Sequence, residues 1–170
     1  MDRPIANNLE IKVTSVDIVV SKTDITGHIE YANQIFFKLS GYNKRELTFE
    51  PHSILRHPDM PKIIFKYLWS ELKKGNEVYA FVKNLTKDGS FYWVLAYVRP
   101  TLNPDGSLRN YVSTRKMMSD NARKLIEPLY AKLLELEKST GVEASEKLLM
   151  DRLEGKNFNQ FMIDLNVQSK

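Results

Sequence analysis

Three long β-forming runs, Val78–Thr86, Ser90–Leu102 and Ser107–Arg115, follow one another almost without pause. Only Lys87-Asp-Gly89 and Asn103-Pro-Asp-Gly106 lie between them. Asp-Gly steps take up the positive-φ backbone of tight hairpins, and loops this short leave no room for a crossover helix. The three runs must therefore lie side by side and antiparallel, which excludes a parallel, doubly wound sheet. Upstream, the β-branched run Asp17–Ser21, the turn Asp24-Ile-Thr-Gly27 and the alternating His28–Ala32 make a second hairpin. Between the two groups the chain shows only short helical signals. The pattern predicts an α+β domain: one five-stranded antiparallel sheet with short helices on one face.

The helical signals are local. Asn33 can cap a helix with Ile35, Phe36 and Leu39 inward, stopped by Gly41. A helical turn at Lys44–Leu47 and a loop containing Pro51 and Pro58 follow. Pro61 suits the first turn of a helix that buries Ile64, Phe65, Leu68, Trp69 and Leu72, with Asp59 as its N-terminal cap and Gly75 as its end. Residues 1–16 carry no strong pattern and form an N-terminal cap, for which a helical conformation stays open. After Lys116 the character changes to a C-terminal helical extension. Ser119 or Asp120 caps a helix with a seam of Leu125, Leu129, Leu133 and Leu136, broadened by Ile126 and Leu134, which Pro128 is expected to split near Glu127. Segments 143–154 and 157–166 complete it. Three regions result: cap 1–16, sensor-sized domain 17–116 and helical segment 117–170.

Composition removes several classes. The 170 residues include no cysteine, so disulfides, thiolate zinc sites, iron–sulfur clusters, c-type haem, a cysteine nucleophile and the flavin–cysteine adduct of LOV-type photoreceptors are excluded. The longest apolar run, Phe91–Val98, falls far short of the ~20 residues of a spanning helix. The N-terminus has no secretory pattern, so the expectation is a soluble, cytoplasmic protein without direct membrane insertion. The net charge of +4 is scattered, with no basic stripe for nucleic acid. Neither a nucleotide-binding glycine fingerprint nor a Ser-His-Asp or metal motif is present, so the chain does not read as an enzyme and no metal ligands are assigned.

A set of strings then occurs in order: Tyr31-Ala-Asn33, Ser40-Gly-Tyr42, Glu46-Leu47, Pro51-His52, Arg56-His-Pro-Asp-Met-Pro61, Leu68-Trp69, Val82-Lys-Asn84, Lys87-Asp-Gly89, Tyr92-Trp-Val94 and Glu127-Pro-Leu-Tyr130. Together they closely resemble the PAS domain of Aer-type energy-taxis receptors over about residues 17–130. A PAS sensor followed by a short helical tail is similar in architecture to CetB-like bipartite energy-taxis proteins. The resemblance implies the PAS fold and noncovalent binding of FAD. It implies a redox or energy-taxis sensor that signals by protein contact to a separate membrane-bound chemoreceptor of the methyl-accepting type. It also implies a homodimer.

The same resemblance marks candidate cofactor-binding residues, each with a plainer alternative. Asn84, on a core strand, can donate and accept at the edge of a flavin ring, or be a satisfied polar residue of the sheet. Arg56 offers a planar fork that suits a diphosphate, or an ion pair with Asp59 or Glu50. His57 belongs to the same motif. Asn33 is a helix cap or a cofactor contact. His52 bonds the cofactor or its own loop. Trp69 packs in the core or stacks on the cofactor. Where Aer-type domains carry a flavin-flanking Trp this chain has Val78, and Tyr79 and Phe81 are the neighbours that compensate. The implied mechanism is reorientation of the Asn84 amide with redox state, carried through its strand to the helices after Lys116. The alternative reading is a b-type haem oxygen sensor, with His52 or His57 as axial ligand.

Overall fold

The computed structural model describes residues 3–167. Residues 1–2 of the N-terminal cap and residues 168–170 of the helical segment lie outside the described residues. The elements follow in the order β1 (Val19–Thr23), β2 (Ile29–Ala32), α1 (Gln34–Ser40), α2 (Lys44–Leu47), a 3₁₀ turn (His52–Leu55), α3 (Lys62–Lys73), β3 (Val78–Leu85), β4 (Phe91–Leu102), β5 (Leu108–Met117), α4 (Asp120–Ser139), α5 (Val142–Leu153) and α6 (Phe158–Val167). The five strands form one sheet in the order β2-β1-β5-β4-β3, with every strand pair antiparallel. The two Asp-Gly hairpins are present, with Gly89 and Gly106 at φ +88° and +85°. β5 follows the predicted run closely and extends two residues beyond Arg115.

Strand alternation divides the sheet into two faces. The inner face carries Asn84 opposite Tyr92, the row Val19–Arg115–Ala96–Ala80 and the row Ser21–Ser113–Val98–Val78. The small residues Ser21, Ala80, Ala96 and Ser113 leave the middle of this face low. Helices α1–α3 close over it, with Phe36, Leu39, Ile63, Ile64, Leu68 and Leu72 buried. Asn33 caps α1, as its position suggests, accepting from the Phe36 amide at 3.2 Å.

The N-terminal cap is extended rather than helical. Ile11 N–H donates to Phe91 O, and Phe91 N–H to Leu9 O, so the cap runs as a strap along the start of β4. Gly89 admits it: a Cβ there would stand 2.1 Å from the Ile5 carbonyl oxygen. Glu10 ties the strap to α4 by its ion pair with Arg123.

The C-terminal helices differ from the expectation in two ways. Pro128 does not split α4, which runs unbroken from Asp120 to Ser139 with Ser119 as its cap. The proline lies on the exposed side, where water can reach the Lys124 carbonyl that it leaves without a donor. The buried seam is Ala122, Ile126, Tyr130 and Leu133, whereas Leu125 is 55% exposed. Tyr130 decides the rotation: its ring meets Trp93 on the outer face of the sheet, and its hydroxyl donates to Phe81 O at 2.8 Å. Beyond α4 the chain turns round the β3 edge. Asn159 of α6 accepts from Tyr79 N–H and donates to Glu77 O, each at 2.9 Å, as a neighbouring strand would. At the other end of that edge the His57 amide donates to Lys83 O. At the opposite border of the sheet, Ile29 exchanges hydrogen bonds with Phe49 and Glu50, so residues 49–51 cover the start of β2.

Asp59 does not cap α3. It pairs with Lys83 Nζ at 2.7 Å, and the α3 N-terminus is met instead by Glu137 of α4. An ammonium that is 8% exposed needs a carboxylate more than a helix end does.

Candidate functional site

A cavity of about 270 Å³ opens between the low middle of the sheet and α3. That is near the lower end of the ~300–1,000 Å³ of small-molecule sites. Its apolar walls are Phe65, Leu68, Trp69 and Leu72 of α3 against Val82, Ala96, Val98 and Tyr111 of the sheet. Trp69 meets Tyr111 edge-on at 5.4 Å. Helical spacing put Phe65, Leu68, Trp69 and Leu72 on one stripe, and that stripe faces the cavity.

The polar groups in these walls are under-used. Asn84 is 3% exposed, and its amide nitrogen has no hydrogen-bond acceptor. Ser113 Oγ is buried without a partner, and so is Arg56 Nε. Leaving such groups buried costs ~1–3 kcal/mol each, so the site is built to meet polar atoms that the chain does not supply. Beside Asn84, burial pushes the Tyr92 phenol up to about 12, which keeps it a neutral hydroxyl.

The strongest charge in the site is Arg115, 4% exposed on β5. Its guanidinium donates to Ser21 Oγ from both Nη atoms at 3.1 Å and to His52 Nε2 at 2.7 Å. It forms no ion pair with any carboxylate among the described residues, and burial lowers its pKa to about 10. An arginine only donates, so His52 Nε2 accepts and the proton sits on Nδ1. Burial first, and then Arg115, push His52 down to about 3, so it is neutral at physiological pH.

The structure brings four of the predicted residues, His52, Arg56, Trp69 and Asn84, to the cavity. Arg56 forms neither of the ion pairs open to it. Its guanidinium lies 3.7 Å over the Phe65 ring. Asn33 does not line the cavity: its side chain is spent on α1 and β1, donating to Ile18 O and accepting from Val20 N–H. His57 does not line it either. It is 2% exposed, packs edge-on against Phe91 and accepts from the Asp59 amide at Nδ1. Burial, with Lys83 nearby, pushes it down to about 4. Tyr79 and Phe81 do not compensate for Val78. Tyr79 stacks on Tyr97 and Phe81 lies beneath Tyr130, both on the face away from the cavity. Sequence reading missed Arg115, Ser21 and Ser113. The alternation Tyr111, Ser113, Arg115 within a strand was the available signal, since it puts a hydroxyl and a cation on a face that should be apolar.

Residues 29–115 match the family model described as PAS fold. The aerotaxis receptor of Escherichia coli strain K12 is 41% identical over 115 residues, covering 68% of this chain and 22% of the receptor. The nitrogen fixation regulatory protein of Klebsiella pneumoniae is 28% identical over 107 residues, covering 63% of this chain and 22% of that protein. The chain thus spans about a fifth of the length of these relatives. Among solved structures, the dark state of the blue-light photoreceptor Aureochrome1 LOV superposes with a TM-score of 0.55 at 26% identity, covering 71% of this chain and 84% of that one.

Proposed function

The chain belongs to the PAS fold family, within its Aer-type energy-taxis group, and from that premise we propose that it is a redox or energy-taxis sensor binding FAD noncovalently in the cavity beneath α3. Its region 17–116 is the sensor and 117–170 the output segment. It works in the cytoplasm and signals by protein contact to a membrane-bound, methyl-accepting type chemoreceptor, as a homodimer. It acts as a sensor rather than as an enzyme. Among the described residues no helix is long and apolar enough to cross a membrane.

One observation carries this reading: an apolar cavity in which the buried Asn84 amide nitrogen and Ser113 hydroxyl lack hydrogen-bond partners and a buried Arg115 lacks a counter-charge. A flat ring with donors and acceptors on one edge answers that set. When bound, a flavin supplies a ring whose edge changes charge and protonation with redox state. The residues do the rest. Trp69 and Leu68 exclude water from one side. Asn84 can turn its amide to present either a donor or an acceptor. Arg115 fixes a positive charge in the wall, which favours the more negative form of an occupant. A turn of Asn84 acts on β3, and the Phe81 carbonyl of that strand is held by Tyr130 of α4. Differential contact of this kind is what turns occupancy into a signal.

The same geometry weighs against iron. His52 has its Nε2 engaged by Arg115, and His57 stands off the cavity. The test is to purify the chain, record its absorption, denature it and identify the small molecule released. A flavin band pair and FAD in the supernatant are expected. An intense Soret band, or a correctly folded colourless protein that takes up neither FAD nor haem, overturns the reading. Asn84→Ala should lose FAD or separate redox state from output, and a variant that binds and signals normally removes Asn84 from the mechanism.

A further inference from the structure

Helix α3 has two sides with different tasks. One side is the cavity wall already described. The other side is held by the C-terminal helices at three places. The α3 N-terminus has Pro61 as its cap residue, which offers no side-chain hydrogen bond, and no acidic residue in its first turn. A helix so built leaves its first amides orphaned and its positive end unmatched. Glu137, on α4, supplies both needs from 75 residues away. Its two carboxylate oxygens accept from the amides of Lys62 and Ile63 at 2.8 and 2.9 Å. The fully buried Ser145 hydroxyl of α5 shares its one proton between Val142 O of its own helix at 2.7 Å and this carboxylate at 3.3 Å. One turn on, Lys66 pairs with Glu146 of α5 at 2.8 Å, and the Tyr67 ring lies 4.1 Å from that of Phe158 of α6.

Of these contacts, the Lys66–Glu146 pair is exposed and worth little. Tyr67 and Phe158 add apolar packing without direction. Glu137 differs, because a single carboxylate caps the wall helix with two short bonds and also takes a share of the buried Ser145 proton of α5. We propose that Glu137 is the positioning residue that makes the cavity wall and the C-terminal helices one cooperative unit. Filling the cavity tightens α5 on α3, and loosening α5 weakens the cavity's hold on its ligand, as linkage requires. This inference rests on the reading that the cavity holds a ligand, and it adds the route by which occupancy reaches the tail.

The experiment follows amide exchange in the full chain, with and without FAD, in wild type, Glu137→Gln and Glu137→Ala. Glu135→Ala, an exposed neighbour paired only with Lys132, is the control. The Gln variant keeps an acceptor and the shape, so a folded protein remains to be measured. Exchange should quicken together in the first turn of α3 and across α5, more in the Ala variant than in Gln, with Trp69 emission shifting in parallel. FAD affinity should fall by up to ~30-fold, the range of a lost helix cap. FAD should slow exchange in α5 of the wild type and not in Glu137→Ala. If α3 loosens while α5 exchange and FAD affinity stay at wild-type values, Glu137 is a local cap and the proposal is wrong. It is equally wrong if FAD protects α5 as strongly in the Ala variant. Should the wild type bind no FAD, the flavin reading fails on its own. The joint response of α3 and α5 in the unliganded protein still decides the coupling.

Discussion

Replacing Arg115 by Met tests whether a charge is kept in the core for the sake of an occupant. Burial lowers this guanidinium from 12.5 to about 10. At ~1.4 kcal/mol for each pH unit, keeping it charged costs the fold roughly 3 kcal/mol. Three donated hydrogen bonds offset part of that cost. Met has a similar length and no charge. The Ser21 hydroxyl and His52 Nε2 would lose their donor, but both residues line the cavity, where water can replace it. Their loss then comes to ~1 kcal/mol each. The unliganded Met variant should be more stable than wild type by about 1 kcal/mol, a rise in Tm of ~2–4 °C for a chain of this size. FAD should bind it roughly 10- to 150-fold more weakly, the value of a charged hydrogen bond. Scanning calorimetry without ligand and flavin fluorescence titration read the two effects separately. A Met variant that unfolds several degrees earlier makes Arg115 an internal strut, and one that binds FAD at full strength removes the charge from recognition. Either result refutes the reasoning.

Two further outcomes follow from described features. His52 and His57 are held neutral in the folded chain, down to about 3 and about 4. Once unfolded they take protons near 6.5. The unfolded state therefore binds more protons below that value, and stability must fall as pH drops from 6.5 toward 4. At pH 5 the loss is ~2 kcal/mol for each histidine. Urea unfolding should show it, and His52→Gln should remove about half of the slope; a flat profile in the wild type contradicts the assigned protonation. Pro128→Ala should stabilise α4, because it restores an amide in mid-helix at an exposed position. At least 1 kcal/mol is expected out of the ~3 kcal/mol of an internal proline, and an unchanged or lower Tm in thermal unfolding argues against it.

The sheet was legible because its determinants are local. Asp-Gly steps set each hairpin, and period-2 runs set the strands between them, so neither needs knowledge of the rest of the chain. The α3 stripe was legible for the same reason. What escaped the reading depends on residues distant in sequence. Asp59 stands where a helix cap should stand, but Lys83, 24 residues on, takes it, and Glu137 takes the cap role instead. The α4 seam turns away from Leu125 because Trp93 and the Phe81 carbonyl offer Tyr130 a better place. Pro128 reads as a breaker only until its side of the helix is known to face water. Asn84 could be singled out by resemblance. Arg115 could not be weighed from a strand alone, because only the register Val19–Arg115–Ala96 shows that it stands among small and apolar neighbours.

The borders of the sheet carry a consequence for assembly. Asn159 and the His57 amide occupy parts of the rim of β3, and residues 49–51 shield the start of β2. Where these backbone groups are already satisfied, an incoming strand has less to zip onto. Growth of the sheet from one molecule into the next is hindered at these points, which works against runaway polymerisation of this small β-rich domain. A partner is thereby steered toward side chains on the helix surfaces, where specificity is written in shape and charge rather than in main-chain pairing.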